Sequence, residues 1–167
     1  MEKESYPKNS RNNYHHKIFQ LSKAFWKIVE KDWNDWLSKS GLNINEHNTL
    51  LVAYSKECCT ITDIALLGTM HISTAVNFSK SLEKKGLLRL EKNNEDKRVT
   101  MVYITEKGRK LVEDIEAQWE PNKSLFYDAV GEIEEVYGSK PHFGDIQAIV
   151  KNFYGDEVLD HIRHFNQ

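Results

Sequence analysis

The residues best suited to chemistry lie between His71 and Gly86. At about 100° per residue, Ser73, Asn77, Lys80 and Lys84 share one helical face, with Thr74 and Ser81 at its sides. Hydroxyls, an amide and ammonium groups are the donors and acceptors that phosphates and base edges take up. Asn77 has the two-atom edge that can pair with adenine, whereas lysines suit phosphate. The opposite face, Ala75, Phe78, Ser79 and Leu82, is apolar or small at i, i+3, i+4, i+7 spacing. Gly86 ends the run, because a helix commonly closes on a left-handed residue. Alone, this segment reads somewhat more readily as an amphipathic surface helix with a solvated polar face.

The flanking elements favour the polyanion reading. Thr60-Ile61-Thr62-Asp63 is a variant capping box, followed by a short helix carrying Ile61, Ile64 and Ala65 and ending near Gly68. Thr69-Met70-His71 is the connection. Beyond Gly86, Leu87–Lys92 and Val99–Thr105 read as two strands, joined by Asn93-Asn94-Glu95-Asp96, residues that favour turns. Lys97 and Arg98 stand at the tip, with Asp96 placed to orient the arginine. Helix, turn, helix and wing put one helix in a major groove and a basic tip near a minor groove. The tip alone reads more readily as a solvated charged turn.

Composition agrees once charge is located. The net charge is −2, an unpromising value for a nucleic-acid binder. Residues 71–110, however, hold ten Lys or Arg against five Asp or Glu, while 111–167 hold four against twelve. One region is made for phosphate and another is not. No apolar run approaches a membrane span, and Met1–Asn13 is polar without a secretory h-region. The two cysteines, Cys58 and Cys59, are adjacent. That spacing gives neither a zinc site nor a disulfide framework, leaving small semi-buried residues or a thiol switch in a reducing cytoplasm. The seven histidines show no metal-ligand spacing, and His161 and His164 lack a third ligand. No nucleophile–base order, paired carboxylates or Gly-rich phosphate loop suggests an enzyme.

The remaining segments read as helices flanking this reader. A long one spans Tyr14–Ser38 with Ile18, Leu21, Phe25, Ile28 and Val29 in rhythm; Asn45 is read as the cap of the next, which carries Leu50, Leu51 and Tyr54. After the wing come helices with Leu111, Val112, Ile115 and Trp119, then a break at Pro121. A further helix over Leu125–Tyr137 and one resuming at Ile146, kinked at Gly155, complete the chain. Trp26, Trp33 and Trp36 sit at helical spacing. They read as core or interface residues.

Taken in order, these elements resemble the MarR family of winged helix-turn-helix regulators, and within it the branch that regulates protease production. The family match rests on Leu82-Glu83-Lys84-Lys85-Gly86-Leu87, Asp96-Lys97-Arg98 and Ile104-Thr105-Glu106-Lys107-Gly108. The branch match rests on Leu42–His47, Met70–Ala75 and Asn77–Lys80. The resemblance implies a mainly α fold with a small β-wing. It divides the chain into a disordered arm (1–13), an N-terminal dimerisation helix (14–42), the winged helix-turn-helix (43–108) and C-terminal dimerisation helices (109–167). It implies a homodimeric repressor of extracellular protease and sporulation-linked genes that binds an inverted repeat in double-stranded DNA, without cofactor or enzymatic activity. Ser73, Thr74, Asn77 and Ser81 then face the major groove, Lys80 and Lys84 the groove or its phosphates, and Lys97 and Arg98 the wing contact. Asn77 departs from the arginine of many members, so base preference is expected to differ. The second departure is at Gln167, where the protease-production branch is expected to carry a longer acidic tail. The resemblance alone implies the other use of Trp26, Trp33 and Trp36, as walls of a pocket for a small aromatic effector. The competing reading is a winged helix that binds an acidic protein partner.

Overall fold

The computed structural model describes residues 8–164. Helix α1 (Lys8–Leu37) is followed by α2 (Ile44–Lys56), β1 (Cys58–Thr60), α3 (Ile61–Leu67), α4 (Ile72–Lys84), β2 (Leu88–Lys92), β3 (Thr100–Ile104) and α5 (Glu106–Ala117). A 3₁₀ turn at Pro121–Lys123 leads to α6 (Leu125–Tyr137), α7 (Gly144–Tyr154) and α8 (Asp156–His164). The fold is mainly α with a three-stranded antiparallel sheet of order β1-β3-β2. Among the described residues no helix is long and apolar enough to cross a membrane.

The helix starts follow from side-chain capping. Thr60 accepts from the Asp63 amide, and the Asp63 carboxylate accepts from the Thr60 amide at 2.7 Å. Thr105 caps α5 through the Gly108 amide, and Ser124 caps α6 through the Tyr127 amide. The cap of α2 is Asn43, not Asn45: Asn43 Oδ1 accepts from the Glu46 amide and Glu46 accepts back from the Asn43 amide. Only Asn43 stands three residues before an acid, as a capping box requires. Asn45 falls inside the first turn and is exposed. Helix α1 begins at Lys8 rather than Tyr14, so part of the expected arm is helical; residues 1–7 lie outside the described residues.

The core belongs to the winged helix. Leu50, Val52 and Ala53 of α2, Ile64 and Leu67 of α3, Ala75 and Leu82 of α4, Val102 of β3, and Val112 and Ile115 of α5 are all buried together. The third strand was not foreseen as a strand. Cys59 pairs with Val102 across the ladder and points into the core, while Cys58 opposite Tyr103 is exposed. Burial pushes the Cys59 thiol up to about 12, with the Asp63 carboxylate adding to the effect. A thiol held protonated is a poor nucleophile, which argues against Cys59 as a redox switch. Successive strand residues face opposite ways, so the two sulfurs are also on opposite sides of the sheet.

The C-terminal segment is divided in its loyalties. Val158 and Leu159 of α8 are buried, Val158 in the same core as α3, and His161 Nδ1 lies 3.3 Å from Ser55 Oγ on α2. Helices α6 and α7 instead leave Ile133, Val136, Ile146, Ile149 and Phe153 exposed. Ile18, Phe19, Leu21 and Phe25 of α1 are exposed as well. That much uncovered apolar surface on three helices asks for a partner.

Candidate nucleic-acid interface

Helix α4 is held from several sides, which fixes what it shows to solvent. Its apolar face, Ala75, Ser79 and Leu82, is buried. At its entry, the Asn48 side-chain amide on α2 donates to the Gly68 carbonyl at 3.1 Å. The turn itself passes through Thr69 at φ 49°, a left-handed backbone that a β-branched residue adopts only when its surroundings enforce it. Gly68 must be small, since a Cβ there would lie 2.6 Å from the Ile64 carbonyl oxygen. At the exit the Leu87 amide donates to the Leu82 carbonyl and the Gly86 amide to Glu83, both at 2.9 Å. Gly86 has φ 73°. This is the Schellman closure, and Lys107 Nζ adds a bond to the Lys85 carbonyl at 2.8 Å.

Ser73, Asn77, Lys80 and Lys84 are exposed on the outward face, with Thr74 half-buried beside them. The helix opens on His71, which makes no side-chain cap bond. Its first amides, at the positive end of the helix dipole, therefore lack a cap from that side chain.

Ser81 is placed differently from expectation. Its hydroxyl donates to Glu46 Oε1 at 2.7 Å, so it is turned toward α2 and away from the outward face. Glu46 is 5% exposed and also accepts from Lys85 Nζ at 2.7 Å. Burial alone would raise its carboxyl, but the bonds from Lys85, Ser81 and the Asn43 amide outweigh it and hold the group below its ordinary value. A residue on the flank of a helix can face a groove or a neighbouring helix, and here an acid 35 residues upstream decides.

The wing presents Arg98 at its tip with 91% of the side chain exposed. Arg98 Nε and Nη2 donate to the two Asp96 oxygens at 3.1 and 3.0 Å, and Asp96 Oδ1 also accepts from the Arg98 amide. The paired bonds lower the Asp96 carboxyl and raise the Arg98 guanidinium. Asn93 Oδ1 accepts from the Glu95 and Asp96 amides, shaping the turn. Lys97 is exposed next to it. Asp96 thus turns the wing's guanidinium through two side-chain bonds.

The tryptophans separate. Trp33 Nε1 donates to His47 Nδ1 at 3.0 Å, and Trp36 Nε1 donates to the Ile115 carbonyl at 2.9 Å. Both also wall a cavity of about 210 Å³ with Val29, Trp119 and Phe126. Trp26 is not among its walls and is 44% exposed. In the same cavity wall is Asp32, which the sequence reading missed. It accepts from the Ser124 hydroxyl at 2.6 Å and from the Phe126 amide at 2.9 Å, tying α1 to the start of α6. No local signal links residues 92 apart in the chain.

The arrangement of three helices, a paired-strand wing and an outward polar helix defines the class: a winged helix-turn-helix. The MarR family model matches residues 42–100. The transcriptional regulator Hpr of Halalkalibacterium halodurans is 46% identical over 148 residues, covering 88% of this chain and 77% of that protein. The Hpr of Exiguobacterium sibiricum is 44% identical over 155 residues, covering 93% and 82%. Among solved structures, reduced AbfR bound to DNA superposes with TM-score 0.63 at 16% identity, over 77% of this chain and 97% of that one. CouR from Rhodococcus jostii RHA1 bound to p-coumaroyl-CoA gives TM-score 0.58 at 21% identity, over 81% and 90%. The chain belongs to the MarR family, and that membership makes it a DNA-binding transcriptional regulator.

Proposed function

We propose that this protein is a homodimeric, sequence-specific repressor that reads an inverted repeat with one α4 in each half-site. Ser73, Thr74 and Asn77 meet base edges in the major groove, Lys80 and Lys84 meet base edges or phosphate, and Lys97 and Arg98 contact the neighbouring minor groove. The observation that carries this reading is the conjunction of an outward face of exposed Ser73, Asn77, Lys80 and Lys84 with a wing arginine already braced by Asp96. The exposed apolar stripes of α1, α6 and α7 support a second copy as the partner that covers them. In this reading its targets are extracellular protease and sporulation-linked genes, which the resemblance of Leu42–His47, Met70–Ala75 and Asn77–Lys80 to the protease-production branch implies. The cavity walled by Trp33, Trp36 and Trp119 has room for about one aromatic ring and supports a small aromatic effector.

Selection of bound fragments from a random DNA pool, followed by gel-shift titration, tests the reading. A symmetric site should emerge with half-sites about one helical turn apart or a multiple of it. Arg98→Ala should weaken binding across sequences, and Asn77→Ala should change the preferred base. Affinity should fall steeply with salt. Equal affinity for the selected and scrambled sites at physiological salt would overturn sequence-specific recognition.

A further inference from the structure

If α4 and the wing both touch DNA, they can engage together only when their relative angle is right. The chain between them is short, Lys85-Gly86-Leu87. Glu83, in the last turn of α4, crosses this joint twice. Its carbonyl accepts from the Gly86 amide and its side-chain Oε1 accepts from the Leu90 amide, both at 2.9 Å. Among the described residues it is the one α4 side chain that hydrogen-bonds a wing strand. Strand β2 lies at the edge of the sheet, so its outward N–H groups have no neighbouring strand to pair with, and Glu83 supplies an acceptor for one. Leu87 and Leu88 are buried, Leu90 is half-buried, and Glu91 and Lys92 are exposed. Leu90 is therefore where β2 leaves the core. Beyond it the wing is tied to itself: the Asn93 amide donates to the Val99 carbonyl and Lys92 Nζ to Thr100 Oγ1, both at 3.0 Å. A hairpin tied along its length and gripped at its root is a lever, with Lys97 and Arg98 at its far end.

We infer that Glu83 is a positioning residue for DNA recognition: it sets the angle of the wing to α4, so that Arg98 meets the minor groove while Asn77 meets the major groove. The inference rests on the reading that both elements contact DNA. A carboxylate beside a polyanion opposes binding by its charge, so what Glu83 contributes comes through the bond it accepts. Without that bond the wing samples poses in which its tip misses the groove. Apparent affinity then falls in proportion to the lost population of the competent pose.

The test uses the full-length protein and the selected site, and compares Glu83→Gln with Glu83→Met. Both remove the charge and suit a helix, but only glutamine keeps a carbonyl oxygen to accept from Leu90. Glu83→Met should bind about fivefold more weakly than Glu83→Gln for each half-site, the factor that one intramolecular hydrogen bond supplies. For the dimer the same value applied twice is about twenty-five-fold. In a Lys97→Ala/Arg98→Ala background the two variants should bind alike, because the lever then carries no cation at its end. Hydroxyl-radical protection of the minor groove beside each half-site should fade in Glu83→Met and persist in Glu83→Gln. A side chain that only stabilised the fold would lower the melting temperature without coupling to the wing tip. An equal Met-to-Gln ratio in both backgrounds, or no difference between the two with the tip intact, would therefore overturn the assignment while groove recognition stands. If the tip variant binds the site as tightly as wild type, or no DNA is enriched at all, the DNA-contact reading itself fails and the positioning role falls with it.

Discussion

Glu46→Ala should loosen the recognition helix more than any other single change on α2. The carboxylate is 5% exposed and accepts from the Ser81 hydroxyl, Lys85 Nζ and the Asn43 amide. The hydroxyl and amide bonds are each worth about 1 kcal/mol net. The Lys85 pair is worth no more than about 1 kcal/mol, since 37% of that side chain is exposed and solvent screens it. The total is about 3 kcal/mol, a fall in melting temperature of roughly 10 °C for a chain of this size. The pH dependence carries the same signature. The Glu46 carboxyl is held below its ordinary value of 4.5, so its contribution is present above about pH 4.5 and is lost as pH falls through the lower folded value. Urea unfolding at neutral pH and again near pH 3 measures both, with Lys85→Met and the double variant completing a cycle. Ser81→Ala should lose about 1 kcal/mol of stability and leave DNA affinity nearly unchanged. A loss below about 1 kcal/mol for Glu46→Ala, or a Ser81→Ala variant that is stable but binds DNA poorly, would refute the clamp.

His47 should give stability a second and separate pH dependence. Its ring is fully buried, Trp33 donates to Nδ1, and burial lowers the imidazole from 6.5 to about 4. The unfolded chain takes up a proton first, so stability is complete above about pH 6.5 and falls by about 3 kcal/mol on the way to pH 4. Urea midpoints across that window should slope in wild type and flatten in His47→Leu; identical slopes would remove His47 as the cause. Gly108→Ala should be strongly destabilising, because a Cβ there would sit 2.2 Å from the Leu87 carbonyl oxygen. Backbone must shift, at a cost of about 2–3 kcal/mol, read by calorimetry; a melting temperature within a degree or two of wild type contradicts that close approach. Ser79→Ala should raise stability by about 1 kcal/mol. Its buried hydroxyl has no hydrogen-bond partner among the described residues, and alanine deletes the unpaired group without leaving a large cavity.

Local signals were the legible ones. The Thr60–Asp63 box, the Gly86 closure and the Asn-rich turn before Arg98 depend on residues within a few positions of one another, and each forms as read. The Asn43–Glu46 box is equally local, and Asn45 competes with it by residue type alone. What could not be read was set at long range. Cys58–Thr60 becomes a strand only because β3 supplies its partner, and three residues carry no periodicity of their own. Ser81 lies on the edge of the polar face, where helical angle alone cannot choose between a groove and α2. Trp26 shares a stripe with Trp33 by spacing, but α1 changes surroundings along its length. Its last two turns pack on the reader, while Trp26 lies just before them, in the stretch with Phe25 and Ile28 that remains exposed.

These contacts also say where the molecule can give. Helix α4 is fixed to α2 by Glu46, to β2 by Glu83, which accepts from the Leu90 amide at 2.9 Å, and to the start of α5 by Lys107. With its entry turn held by Asn48, it has little freedom to change shape within the reader. Base-reading side chains on such a rigid element keep their geometry. The joint between the reader and the flanking helices is built more sparsely. Over little more than one turn of α1, Asp32 reaches α6, Trp33 reaches His47 on α2, and Trp36 reaches the end of α5. The aromatic cavity opens among these three contacts. A ligand ring there would press on Trp33, which touches His47, the residue next to the Glu46 that holds α4. Movement transmitted by that route would turn the whole reader against α1. It would not remodel the face that Ser73, Asn77 and Lys80 present.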